Sequence, residues 1–356
     1  MTASLTDSPW SMKNPLFVIH IPKTGGLSLR RIFAELLPDP SRVYKLGQYA
    51  PGKVHLIEEF MAQDQIDSPY PVYIGHFSFG AHNKIKPEPF LVTCLRDPVL
   101  RVLSYYEYTC RIDDVEHDIH QFISNYPECN NGMTRRLSGL GLLNEQGYDF
   151  VANTVLQGPE AEVTKEHLDL AIEHLRNRID LIMVQEQMSE SLVMLRHRMG
   201  SPPLLSLRNH YRNHSPQKIL TTNYSEEVIN AIRAHNQFDL ALYEEGTSIF
   251  KAQLSQVSLE QQNEIEAMEP LCSILSPVGM RDLDDNTINQ RFNLGVGALL
   301  KAKQFDLATR VALLMSIRLG NNMQFWTSTR KLAELHCGRA MQDEVELAFT
   351  KHHGGV

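Results

Sequence analysis

A lysine, two glycines and two hydroxyls crowd into Lys23-Thr24-Gly25-Gly26-Leu27-Ser28, just after the apolar run Leu16 to Ile21 and Pro22. Apolar run, glycine turn and amphipathic stretch read as strand, turn and helix. In that arrangement consecutive backbone N–H groups and a helix N-terminus converge on one anion. Lys23 leaves the strand beside the turn and reaches the leaving side of a diphosphate-like group, while Thr24 to Ser28 supply amides and hydroxyls. A Walker sequence puts its lysine after the last glycine, as G-x-x-x-x-G-K-[ST]. Here the lysine comes first, which disfavours ordinary ATP chemistry. Taken alone, so short a match also reads as a surface turn.

A second anion site is suggested farther on. Phe90 to Leu95 reads as a buried strand, and Arg96 stands at its carboxyl end, where open α/β sheets bind ligands. Asp97 is a good N-cap and Pro98 a good first helical residue, so a helix is expected to about Thr109. Ser104 falls in its second turn, where its hydroxyl can join the Arg96 guanidinium around one phosphate. The alternatives are an ion pair of Arg96 with Asp97 or a nearby carboxylate, and a Ser104 that bonds its own helix. His76, in Ile74-Gly75-His76-Phe77-Ser78, follows a strand read over Pro71 to Ile74. Imidazole, with an unperturbed pKa of about 6.5, suits a general base at neutral pH. A structural histidine is the other reading of His76; His20, near the turn, is a second candidate base that reads better as a packing or orienting residue. His117 and His120 fall three apart on an expected helix with no third ligand, which reads as a solvated face.

These elements need a frame. Helices are expected over Leu27 to Leu37, Thr164 to Arg178, Ser189 to Met199 with Gly200 as C-cap, and Ser225 to Asn236; Asp180 to Val184 reads as a further strand. Strands alternating with helices imply an α/β fold, a parallel sheet covered on both faces. With 356 residues, 42% of them hydrophobic, the chain can build two or more cores. Its five cysteines, at 94, 110, 129, 272 and 337, include no C-x-x-C pair, so neither a disulfide framework nor a zinc site is expected, and a reducing compartment fits. A net charge of −8 speaks against general affinity for nucleic acid. The first fifteen residues lack a basic region and an apolar core, and no segment is long enough to span a bilayer, so the expected location is cytoplasmic.

The two segments together resemble sulfotransferases that use 3′-phosphoadenosine 5′-phosphosulfate (PAPS), in the carbohydrate group that includes heparan sulfate 2-O-sulfotransferases and bacterial relatives. His20-Ile21-Pro22-Lys23-Thr24-Gly25-Gly26 resembles the family's 5′-phosphosulfate loop. Leu95-Arg96-Asp97-Pro98 through Ser104-Tyr105-Tyr106 resembles its 3′-phosphate segment, with the same arginine-to-serine spacing. Weaker similarity runs through Asn131 to Gly139, Gln185 to Gly200, Arg208-Asn209 and Leu242-Tyr243, so the resemblance spans residues 14–254. It implies a P-loop-like sheet that binds PAPS through Lys23, Thr24, Gly25, Gly26, Leu27, Ser28, Arg96 and Ser104. It also implies Lys23 and His76 as catalytic groups, no metal, and a hydroxylated acceptor, a glycan above all. Leu27 departs from the family, whose relatives carry threonine there, and Ile74 stands where heparan sulfate enzymes have a second histidine. Leu207 to Pro216, with Arg208, Arg212, His210 and His214, is expected to cover the nucleotide with Arg208 on its 3′-phosphate; an ordinary charged surface loop is the alternative.

Beyond the sulfotransferase domain at 14–254, residues 255–285 read as a linker with breaks from Pro270 to Asp285. Residues 286–353 read as tetratricopeptide-like helical pairs, open to docking, homodimerisation or a protein partner. Two other functions remain open on sequence alone: a catalytically inactive nucleotide-binding scaffold that works through its helical tail, and a P-loop phosphoryl transferase.

Overall fold

The computed structural model describes residues 15–26, 29, 33, 43–46, 66–67, 70–140, 162–199, 221–275, 283–319 and 323–353. Leu27, Ser28, Arg208, most of the helix expected over 27–37 and all of Leu207 to Pro216 lie outside them. Seven strands are described: β1 (Leu16–Ile19), β2 (Val43–Leu46), β3 (Ile66–Asp67), β4 (Val72–Gly75), β5 (Ile85–Lys86), β6 (Phe90–Leu95) and β7 (Leu181–Val184). Five of them form one sheet in the order β2-β4-β1-β6-β7, parallel throughout, while β3 pairs with β5. Strands β1, β4 and β7 are buried along their whole length. Burial on both faces is why they read as unbroken apolar runs instead of alternating ones. From β1 the chain goes to β2 and β4 on one side, then crosses to β6 and β7 on the other. Such a reversal marks the carboxyl end of the central strand as the place for a ligand crevice.

The helices that follow are α1 (Pro98–Asp113), α2 (Ile119–Asn125), α3 (Gly132–Ser138), α4 (Lys165–Asn177), α5 (Met188–Met199), α6 (Glu226–His235) and α7 (Gln237–Leu254), of which α7 packs on β7. Helix α1 starts where the sequence predicts, with Asp97 accepting from the Leu100 amide at 2.9 Å. Val102, Leu103, Tyr106 and Thr109 form its buried face; it runs a turn past Thr109 and stops at Asp114 in the left-handed region, φ 53°. One expectation is corrected here: His117 lies before α2, not on a helix with His120, and pairs with Asp113 at 2.8 Å. Asp118 ends that connection by capping α2 through the Gln121 amide at 2.8 Å. Helix α4 buries Leu168, Ala171 and Leu175 at helical spacing. Helix α7 rests on β6 through the bare α-carbon of Gly246, where a Cβ would come within 2.1 Å of Leu95 Cδ1.

The chain divides into two compact units, with a boundary between Ser255 and Gln256 and with Leu192–His197 falling in the second. The second unit holds α8 (Leu259–Leu275), α9 (Asp285–Lys301), α10 (Phe305–Leu319), α11 (Met323–His336) and α12 (Arg339–His353). Helix α8 occupies much of the stretch read as a linker and contains Pro270. An interior proline costs a helix about 3 kcal/mol. Here Ala267, Met268, Leu271 and Ile274, all fully buried, supply the offsetting apolar burial. Among the described residues no helix is long and apolar enough to cross a membrane.

Candidate active site

Lys23, His76 and Arg96 follow the carboxyl ends of β1, β4 and β6, three strands that stand side by side. Register aligns them, since Ile19 lies beside both Gly75 and Thr93. The turn after β1 is held tightly: the buried Thr24 hydroxyl donates to the Ile21 carbonyl at 2.8 Å. Lys23 itself sits in the left-handed region at φ 69°, a conformation that costs a side-chain-bearing residue energy and gathers at binding sites. Gly25, at φ 93°, begins the next helix by accepting the Leu29 amide at 3.2 Å. At Gly26 a Cβ would lie 1.8 Å from His20 Nε2, so the buried His20 ring occupies the space that any other residue would need. The same ring meets His76 edge to face, centroids 5.0 Å apart.

His76 is half-buried, and its backbone is anchored. Arg136 donates from Nη1 to the His76 carbonyl at 3.0 Å and pairs with Glu128. Glu128 also meets Arg101 at 3.4 Å, and Arg101 reaches Asp239 of α7 at 3.4 Å. Both guanidiniums are buried, so each needs this compensation.

Arg96 donates from Nη1 to the Lys23 carbonyl at 2.9 Å and lies 3.9 Å from Glu186 through Nε. The ion-pair alternative for Arg96 is therefore realised, with Glu186 and not with Asp97, whose carboxylate caps α1. Glu186 sits just past β7 and also accepts from the Asp97 amide at 3.1 Å and the Tyr243 hydroxyl at 3.0 Å. Sequence reasoning missed Glu186, which stands two residues past β7 and reaches Arg96 only through the pairing of β7 with β6. Burial pulls the Arg96 guanidinium below its ordinary value, and Glu186 opposes that pull. Arg96 Nε is buried with no hydrogen-bond partner among the described residues. Ser104 is buried on α1, the helix that starts beside this arginine.

The Lys23 ammonium lies 3.9 Å above the centroid of the Tyr108 ring, and the Arg111 guanidinium is 5.7 Å from that ring. Burial above all, and then Arg96 and Arg111, push the Lys23 pKa down to about 8, against the pull of Glu107. Two guanidiniums, an ammonium, a glycine turn and an imidazole thus share one end of the sheet, a set suited to binding an anion beside a proton acceptor. Among the described residues no group of three His, Cys, Asp or Glu side chains could hold a metal ion. A cleft of about 560 Å³ in the second unit is lined by Asp285, Ile288, Asn289, Leu319, Met323, Gln324 and Phe325. Its lining carries a carboxylate and no cation, unlike the cationic end of the sheet.

A comparison with curated proteins finds no match. A family model described as galactose-3-O-sulfotransferase matches residues 55–272. That span contains His76, Arg96, Ser104 and Glu186, begins after the Lys23 turn, and extends into α8. It covers more than half of the 356 residues. The match and the chain's parallel α/β architecture lead to one assignment: the chain belongs to the galactose-3-O-sulfotransferase family, a family of carbohydrate sulfotransferases.

Proposed function

We propose that this chain moves a sulfuryl group from PAPS to a carbohydrate hydroxyl, of the galactose type that the family description names. The observation that carries the reading is the joining of Lys23 and Arg96, carbonyl to guanidinium at 2.9 Å, at adjacent strand ends beside His76. A donor phosphorylated at both ends of its nucleoside needs two anion sites. The glycine turn offers one, through its backbone amides and the Lys23 ammonium. The Arg96 guanidinium, at the carboxyl end of β6, offers the other, assisted by Ser104.

The donor supplies an activated sulfuryl group on a phosphate leaving group. Lys23 neutralises the charge that develops on the bridging oxygen as the S–O bond to phosphate breaks, and the turn amides and helix dipole assist. His76 takes the proton of the acceptor hydroxyl as the new O–S bond forms. The sulfuryl group carries less negative charge than a phosphoryl group, so these cations meet the electrostatic demand. Arg96 holds the nucleotide and does not touch the reacting atoms.

Calorimetry tests the donor assignment. One added charge-assisted contact contributes about 1.5–3 kcal/mol, so adenosine 3′,5′-bisphosphate is expected to bind about tenfold to a hundredfold more tightly than ADP. Equal affinities would overturn the PAPS reading. Incubation with PAPS and galactose-bearing oligosaccharides, followed by mass spectrometry, is expected to show the gain of one sulfonate.

A further inference from the structure

We propose that Tyr108 is a positioning residue for Lys23: its ring holds the ammonium in the donor-free site, and the donor must draw that charge away from the ring. The proposal rests on the sulfotransferase reading above.

The Lys23 backbone has little freedom, being in a left-handed turn with its carbonyl bonded to Arg96. Only the side chain can travel. Helix α1 sets Ser104, Tyr108 and Arg111 at i, i+4 and i+7, on one face. The ammonium at 3.9 Å from the ring centroid is well inside the range of a cation–π contact. The charged groups facing Lys23 are Arg96 from the end of β6 and Arg111 and Glu107 from α1; Glu186 faces Arg96 from beyond β7. With two guanidiniums nearby, the lysine is repelled until an anion arrives. The negative face of the tyrosine ring takes the anion's place in the meantime. Because the ring is 38% exposed, its replacement leaves the core intact.

Nitrogen-15 NMR of the lysine ammonium groups tests this, with Lys23→Arg identifying the Lys23 signal. Tyr108→Leu keeps the apolar bulk and removes the ring face, so the Lys23 pKa is expected to drop by about half a unit; Tyr108→Phe keeps the ring and is expected to match wild type. At pH 6.5, Tyr108→Leu is expected to bind adenosine 3′,5′-bisphosphate about two- to fivefold more tightly than wild type, since nothing then competes for the lysine. An unchanged lysine titration in Tyr108→Leu overturns the proposal, and so does weaker binding, which would make the ring a contact of the nucleotide itself. If the wild type fails to bind the bisphosphate, the sulfotransferase reading falls, and the lysine titration still decides the role of Tyr108.

Discussion

In the proposed mechanism Lys23 has to be charged to meet a leaving phosphate, and its pKa of about 8 makes that charge testable. Below this value the ammonium is present in the free enzyme; as pH rises through it the charge is lost. The value of kcat/KM should therefore decline on the alkaline side from about pH 8, a limb that Lys23→Arg removes because guanidinium stays charged. Lys23→Ala should lower kcat by about a hundredfold to a thousandfold, near the loss seen when one oxyanion donor is removed. His76→Ala should also abolish most turnover, and near-normal rates would exclude it as the base. Arg96→Ala should act mainly on donor KM. The gathering of these three residues at one sheet end was legible because turn chemistry and strand ends are local in sequence. Glu186 was not, since the parallel β6-β7 pairing that delivers it to Arg96 leaves no local pattern. Tyr108 was missed for another reason: an aromatic on the exposed face of a helix looks like any other rim residue until a cation is found above it.

Helix starts were easier to read than helix partnerships. Asp97-Pro98 announces α1 in a dipeptide, whereas α3 and α7 cap each other across a long stretch of chain. Asp239 accepts the Met133 amide at 3.0 Å and the Thr134 amide at 2.7 Å at the start of α3. Asn131 does the same at the start of α7, accepting the Phe238 amide at 2.9 Å and the Asp239 amide at 3.1 Å. Burial pushes the Asp239 carboxyl above its ordinary value, while Arg101 and the two amides pull it down. Asp239→Ala leaves these amides and a buried guanidinium short of an acceptor, and should destabilise the protein by about 3–5 kcal/mol. Urea unfolding measures this, and a loss below about 1 kcal/mol would mean that the pair acts like an exposed one. Proline misled the reading of α8 for a related reason: a breaker is local, but the burial that overrides it is tertiary.

For the molecule as a whole, acid is the expected weakness. His82 is fully buried against Phe79 and Phe17, and neither ring nitrogen has a hydrogen-bond partner among the described residues. Burial first, then Arg178 and His174, push its pKa down to about 4. Between the ordinary value of 6.5 and about 4, the unfolded chain binds a proton that the folded protein refuses. Stability should therefore drop as pH falls through that window, by about 3 kcal/mol in all from this group, and level off below it. Unfolding curves at pH 7 and pH 4.5 should show a smaller decline for His82→Leu than for wild type; parallel declines would clear His82 of the effect. The α/β class and strands β1, β4, β6 and β7 were legible from apolar runs, whereas β2, short and interrupted by Lys45, was not read; the change of composition past Leu254 falls beside the division between units after Ser255. One local fit reaches further than its size. Because the His20 ring lies on the bare α-carbon of Gly26 and edge-on to His76, the nucleotide grip and the acceptor chemistry proposed above would share a wall. Campaigns to retarget this enzyme should randomise positions 20, 26 and 76 as one library, since changing any one alone disturbs both halves of the reaction.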